Sequence, residues 1–240
     1  MIVKAWHARC LVRRACYGDD GSPMSVWAAV PVKEFAGAKQ RLASLLTPEQ
    51  REALAAAMLE DVLAALAAAP LAGIKVNTLD PAATELARRY GARVVTDDAR
   101  SGHTGAVTAM ARILAAEGHD MLTVPGDIPR VTATEIAAVV KARRPAPSLT
   151  IVPARDELGS NAMLCSPPLV MPFRFGDNSY FPHLATARSL GIEPTIVKQP
   201  GIGLDLDQPE DVLAFLAAMP RMTTRASTVI ARSAATKQAP

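Results

Sequence analysis

"RVVTDDARSGHTGAVTAMARILAAEGHDMLTVPGDIP", Arg93 to Pro129, decides the fold. It opens with a short strand-like run, "RVVTDD". It continues through "TGAVTAMARILAAEG", where apolar residues recur at helical spacing, and closes with a second apolar run, "DMLTVPGDIP". Two parallel strands cannot be joined by a tight turn; the return needs a crossover of roughly a dozen residues or more, which is the length of the helix found here.

The unit repeats outward in both directions. "VWAAVPVK" (26–33) is a continuous apolar run of the kind buried on both faces of a parallel sheet. It is followed by "LTPEQREALAAAMLEDVLAALAAAP", where Thr47, Pro48 and Gln50 supply the N-cap, first turn and reciprocal cap of a helix and Pro70 stops it. "GIKVNTLD" reads as a strand, and "PAATELARRYGA" as a helix ended by Gly91. On the other side, "TATEIAAVVKARR" is a helix capped by Thr132 with Glu135 three residues on. After residue 148 the rhythm loosens: "LTIVPARDELGSNAMLCSPP" reads as two strands around a polar loop, and "FRFGDNSYFPHLATARSLG" as a loop leading into a helix. "GIGLDLDQPEDVLAFLAAM" (201–219) reads as a short strand running into an amphipathic helix. The expected fold is α/β, a single Rossmann-like domain with a mostly parallel sheet and helices on both faces.

Composition agrees with one domain. The chain has 240 residues, half of them apolar and 20% charged, enough for a substantial core. The net charge of +3 belongs to the ends. Residues 1–23 hold Lys4, Arg9, Arg13 and Arg14 against Asp19 and Asp20, and residues 221–240 hold Arg221, Arg225, Arg232 and Lys237 with no acid. The stretch between them, 24–220, is acidic overall, so the basic balance gives no reason to expect nucleic acid or a membrane surface as partner. Both ends read as additions: 1–23 as a leader ahead of Met24, and 221–240 as a disordered tail without sustained periodicity. Of three cysteines only Cys165 lies in the domain, so neither a disulfide framework nor zinc spacing exists and a cytoplasmic location is expected.

Ligands of open α/β sheets bind beyond the carboxyl ends of the strands. Asp127 ends the strand in "LTVPGDIP". Asp205 and Asp207 stand two apart near the end of another, where strand geometry puts both on one face. Asp207 has a structural alternative as the N-cap of the following helix. Asp205 has none, and a carboxylate leaving water needs a partner. Three carboxylates at strand ends suit Mg²⁺, which prefers oxygen ligands and substrate phosphates. The loop "PVKEFAGAKQRL" (31–42) adds Lys33, Lys39 and Arg41, a set suited to a polyphosphate. His183 is a candidate ligand or a packing residue, whereas His103 and His119 lack partners at ligand spacing. Met58, Met110 and Met219 read as core.

"VPVKEFAGAKQRLASLL", "TVPGDIPRVT", "GSNAMLCSPP", "FRFGDNSYFPH" and "LDLDQPEDV", in that order, resemble the CofC/FbiD family of phosphoacid guanylyltransferases. The likeness spans roughly residues 26 to 217. It implies the single-domain nucleotidyltransferase fold, GTP as donor, Mg²⁺ as cofactor, release of pyrophosphate, and a role in building the deazaflavin coenzyme F(420). The acceptor would be 3-phospho-D-glycerate, 2-phospho-L-lactate or phosphoenolpyruvate. The resemblance maps metal binding onto Asp127, Asp205 and Asp207, and acceptor binding onto Ser160, Gly176 and Ser179; His183 fits the family's S-x-x-x-H spacing. The chain departs from the family at Ser160, where threonine is usual. It departs again in "SGHTGAV" (101–107), where Gly-Leu-Asn is usual and a nucleotide-facing position is expected. A related nucleotidyltransferase with a larger acceptor and a non-catalytic nucleotide binder remain as alternatives. The oligomeric state is open, with a homodimer as the working expectation.

Overall fold

The computed structural model of the chain describes residues 25–176, 178–217 and 224–238. The expected leader, together with Met24 and Met219, lies outside the described residues. The elements follow the order β1 (Val26–Pro31), α1 (Pro48–Ala67), β2 (Gly73–Asn77), α2 (Pro81–Arg89), β3 (Arg93–Val95), α3 (Gly102–Ala116), β4 (Asp120–Thr123) and α4 (Ala133–Lys141). Then come β5 (Ser148–Pro153), β6 (Ser160–Ser166), α5 (Tyr180–Ser189), β7 (Thr195–Ile196), α6 (Pro209–Ala217) and α7 (Arg225–Gln238). Both expected capping boxes form, Thr47 with Gln50 and Thr132 with Glu135.

The strands make one seven-stranded sheet in the order β3-β2-β1-β4-β6-β5-β7. Every neighbouring pair is parallel except the two that involve β6. The reversal follows from chain length: residues 154–159 are too few for a crossover, so β5 and β6 form a hairpin.

β1 explains why its sequence is apolar at every position. Val26, Ala28 and Val30 face a cluster containing Leu59, Val62 and Leu63 of α1, Leu86 of α2 and Ile136 of α4. Trp27 and Ala29 face the opposite cluster, with Val107, Met110 and Leu114 of α3 and Leu184 of α5. Helices therefore cover both faces, as the strand–helix alternation predicts. No helix among the described residues is long and apolar enough to cross a membrane.

Two expectations are corrected. Residues 201–207 do not form a strand; the sheet edge is taken by Thr195–Ile196. The glycines turn the chain here, and its backbone groups are spent elsewhere. Gly201 N–H donates to Glu135 Oε1 (2.6 Å), Gly203 N–H donates to Gln199 O (2.8 Å), and Gly203 O accepts from Arg155 N–H (2.7 Å). The alternation survives without a ladder: Leu204 and Leu206 are buried, while Asp205 and Asp207 are part-exposed. The tail, expected to be disordered, contains α7. Its Ala226 and Ile230 are buried in a third apolar cluster with Leu42, Leu54, Met58, Leu204, Leu206 and Phe215. The buried Asp61 carboxylate of α1 accepts from the N–H groups of Arg225 and Ala226 (both 3.0 Å), satisfying two of the free donors that begin a helix. Ala226, Val229, Ile230 and Ser233 do recur at helical spacing, but small and polar residues give a weak signal.

Candidate active site

The parallel strands β1, β4 and β5 end at one edge of the sheet. The reversed strand β6 begins there, so Ser160, its first residue, reaches the same edge. An open cleft of about 1660 Å³ lies along it, lined by Lys33, Lys39, Arg41, the three aspartates, Ser160, Gly176 and Ser179, whereas His183 lies outside its lining.

One corner is charged. Lys39, at a left-handed backbone position (φ 53°), donates from Nζ to Asp127 Oδ2 (2.7 Å) and to Asp207 Oδ1 (2.6 Å). These residues are brought together by the third apolar cluster, which grips Leu42 on one side and Leu204 and Leu206 on the other. A single backbone bond, Leu206 N–H to Asp127 O (3.2 Å), docks the aspartate segment on the loop after β4. The Lys39 side chain is only 9% exposed. Burial alone would lower its pKa, but the carboxylates of Asp127 and Asp207 outweigh burial and raise it. Asp127 is likewise disfavoured by burial, and Lys39 reverses this and holds it below the usual carboxylate range.

Asp205 is the uncompensated member. Burial and repulsion from Asp127 and Asp207 push its pKa up to about 6, against a hydrogen bond from Asn161 Nδ2 (3.2 Å). Asp207 does not cap α6. The Asp211 carboxylate, in the first turn of α6, reaches back to accept from the N–H groups of Asp207 (3.1 Å) and Gln208 (2.8 Å), and the Asp207 side chain pairs with Lys39. Lys33 and Arg41 line the cleft with exposed side chains.

Among the described residues no three His, Cys, Asp or Glu side chains form a ready metal-binding group. Lys39 bridges two of the three aspartates instead. Three carboxylates against one ammonium leave this corner short of positive charge, which adds to burial in raising the Asp205 pKa. The donor set fits a Mg²⁺ ion that uses one or two carboxylates and completes its shell with substrate phosphates and water, and does not fit an all-protein cage.

The other corner is built from neutral groups. The Ser179 hydroxyl, at the entry to α5, is buried and accepts from Ser160 N–H (3.1 Å). Ser160 Oγ lies 2.9 Å from Nδ1 of His183, and Nε2 of the same ring accepts from Arg174 N–H (3.0 Å). His183 is 1% exposed, and burial pulls its pKa down to about 4. Gly176 has φ 142°, a conformation for which glycine is needed, and a Cβ there would meet nothing within 4 Å. The space beside it is open cleft.

The segment 101–107, expected to face a nucleotide, is tied to this second corner. Thr104 Oγ1 accepts from Phe175 N–H (3.0 Å), and the His103 ring lies 4.5 Å from the Phe175 ring. Sequence reasoning also missed the residues that hold the loops. Arg51, on the buried side of α1, donates to Ala38 O (3.3 Å) and Leu46 O (3.0 Å). The Asp80 carboxylate accepts from Phe35 N–H (2.8 Å). Arginine on an otherwise apolar helix face was the available signal for the first. Asp80 was hidden because the strand before it ends at Asn77, earlier than its sequence suggests.

A family model described as guanylyl transferase CofC like matches residues 26–224. The chain belongs to this CofC-like guanylyl transferase family. Among curated relatives, the phosphoenolpyruvate guanylyltransferase of Rubrobacter xylanophilus is 35% identical over 195 residues, covering 81% of this chain and 95% of that protein. The one from Conexibacter woesei is 38% identical over 197 residues, covering 80% and 87%. Among solved structures, a putative nucleotide-diphospho-sugar transferase from Desulfovibrio desulfuricans superposes with a TM-score of 0.68 at 14% identity, covering 88% of this chain and 96% of that one. A nucleotidyl transferase from Methanothermobacter gives 0.59 at 17% identity, covering 83% and 99%. Membership of the CofC-like family makes the protein an enzyme of the nucleotidyltransferase class, and the structural neighbours show the same fold. α7 lies just past the end of the family match.

Proposed function

We propose that the enzyme transfers GMP from GTP to the phosphate of a small phosphorylated three-carbon acid and releases pyrophosphate. Phosphoenolpyruvate is the first candidate acceptor, since the curated relatives carry its name; 2-phospho-L-lactate and 3-phospho-D-glycerate differ from it by a few atoms. A place in coenzyme F(420) biosynthesis, in the cytoplasm, is part of the same reading. The observation that carries it is the division of one cleft into a charged corner and a small neutral corner, the two partners such a reaction must hold.

The chemistry follows from the substrates. An anionic oxygen of the acceptor phosphate attacks the α-phosphorus of GTP. A new P–O–P linkage forms, the bond to the bridging oxygen breaks, and the electron pair departs with pyrophosphate. The attacking oxygen carries its own charge, so no general base is required. The protein contributes alignment and charge compensation. Lys33, Lys39 and Arg41 face the donor phosphates and stabilise the charge that grows on the leaving group. Ser160 and the backbone around Gly176 hold the acceptor, and Ser179 fixes Ser160 from behind. Asp205, with Asp127 or Asp207, would hold a Mg²⁺ ion through one or two carboxylates at a time, and the ion would supply charge neutralisation between the two anions.

Incubating the protein with Mg²⁺, GTP and each of the three phosphoacids, and following pyrophosphate, tests the proposal. Release that requires both GTP and one phosphoacid is expected, with sugar phosphates inert. Equal release with sugar phosphates, or none with any of the three acids, would sink it.

A further inference from the structure

His183 is 1% exposed, yet both of its ring nitrogens are engaged. Nε2 receives the N–H of Arg174 at 3.0 Å. A backbone N–H can only donate, so Nε2 must be the unprotonated nitrogen of a neutral ring. The ring proton is then on Nδ1, and it points at Ser160 Oγ, 2.9 Å away. The geometry therefore selects one tautomer without reference to any ligand.

That choice has a consequence for the serine. Ser160 Oγ accepts from His183 and cannot donate to it. Its other protein neighbour is the Ser179 hydroxyl, 3.5 Å away and beyond the usual range of an O–H···O bond. The Ser160 proton is left with the cleft as its direction, since Ser160 is part-exposed and lines it. We infer that His183 is a positioning residue that turns the Ser160 hydroxyl into an outward-pointing donor for the anionic acceptor. This rests on the acceptor binding at Ser160, as proposed above.

The same ring performs a second task. By accepting from Arg174 N–H it ties down the start of the segment that runs through Phe175 to Gly176. The Phe175 ring stands edge-on to His183 at 5.1 Å. One imidazole thus sets the direction of a hydroxyl on β6 and the position of the loop facing it. With the opposite tautomer, Nδ1 would become an acceptor, the Ser160 proton would turn inward, and Arg174 N–H would meet a second N–H. A phosphoacid would then meet an oxygen lone pair, which repels it.

Two measurements test this. Nitrogen-15 NMR of the intact protein at pH 7 should show His183 neutral with Nδ1 protonated, the reverse of the tautomer favoured by free histidine. A ring protonated on Nε2, or on both nitrogens, overturns the inference whatever the enzyme's substrate proves to be. In kinetics, His183→Gln keeps an acceptor near Arg174 N–H but removes the Nδ1 donor, and Ser160→Ala removes the hydroxyl. Each should raise the KM for the phosphoacid by about tenfold or more, the usual loss for a hydrogen bond to a charged group, with the KM for GTP unchanged. The double variant should be no worse than the poorer single variant, because both remove the same contact. Penalties that multiply, or a rise in the GTP KM, would show that His183 does not act through Ser160. If the parent enzyme turns over none of the phosphoacids, the proposed function fails, and the NMR result still decides the tautomer.

Discussion

The two corners of the cleft are held by opposite means. In the charged corner Lys39, Asp127 and Asp207 come from three loops that the third apolar cluster and the Leu206–Asp127 backbone bond bring together, and full charges join their tips. Asp205 stands beside them without a cation of its own. In the neutral corner Ser160, Ser179, His183, Thr104 and Phe175 satisfy one another with single hydrogen bonds whose donors and acceptors are assigned. The first arrangement is electrostatically incomplete before ligands arrive; the second is complete except for the Ser160 proton. A charged site can accept phosphates and a cation by exchanging partners. A neutral site discriminates by shape and by the direction of its donors.

Lys39→Met is the harshest way to break this contrast. It leaves three carboxylates facing one another and removes the cation to which the proposed reaction assigns the donor phosphates. We expect kcat/KM to fall by about 10²–10³-fold, the range seen when one stabilising donor is lost from a transition state. The hydrogen-bonded corner should be untouched, so the NMR signature of His183 should persist. Near-normal turnover in steady-state assays would mean that the ammonium only balances charge in the resting protein.

The second prediction uses acid against the neutral corner. His183 has a folded pKa of about 4 against an ordinary 6.5. Its neutral form is the one the fold accepts, and the unfolded chain binds the proton more readily. Stability is therefore unaffected above pH 6.5, falls as pH drops through the interval between the two values, and levels off below about 4. The shift corresponds to about 3 kcal/mol in total. Denaturant titrations at pH 7 and pH 5 should show this slope in the parent and a smaller one in His183→Gln. Equal slopes would remove His183 as its source.

The mildest change tests the scaffold that assembles the charged corner. Ile230→Ala in α7 opens the third apolar cluster and should lower stability by about 2 kcal/mol. It should disturb nucleotide kinetics before acceptor kinetics, because Leu42, Leu204 and Leu206 share that cluster and Ser160 does not. A change confined to the acceptor KM would show that the two corners are not held independently.

These particulars also mark what was legible in the sequence. Strands β1 to β4 and both capping boxes could be read because periodicity and cap chemistry are local. The convergence of the candidate residues on one cleft followed from the strand-end rule, since loops at one edge must meet. The partnership of Lys39 with Asp127 and Asp207 was hidden, because it depends on where a third apolar cluster holds Leu42 and Leu206. The 201–207 segment alternates like a strand but is turned by its glycines, so alternation reported its burial and not its pairing. α7 was missed because its contact face is mostly small residues and its start is capped by Asp61, far away in the chain. The tautomer of His183 depends on a backbone N–H nine residues before it, which only the folded loop brings to the ring.

The reversal of β6 has a practical side. An all-parallel sheet returns to its working edge only after a whole helix, whereas here the chain leaves β5 and re-enters at Ser160 through residues 154–159 alone. That turn lines the cleft between the two corners, and both of its ends are clamped by strand pairing. Surface hairpins accept insertions far more readily than strands or crossover helices do. Under the proposed reaction the tip of this turn would set the width of the acceptor's end of the cleft, while its base, through Arg155 N–H to Gly203 O (2.7 Å), ties that end to the segment carrying Asp205 and Asp207.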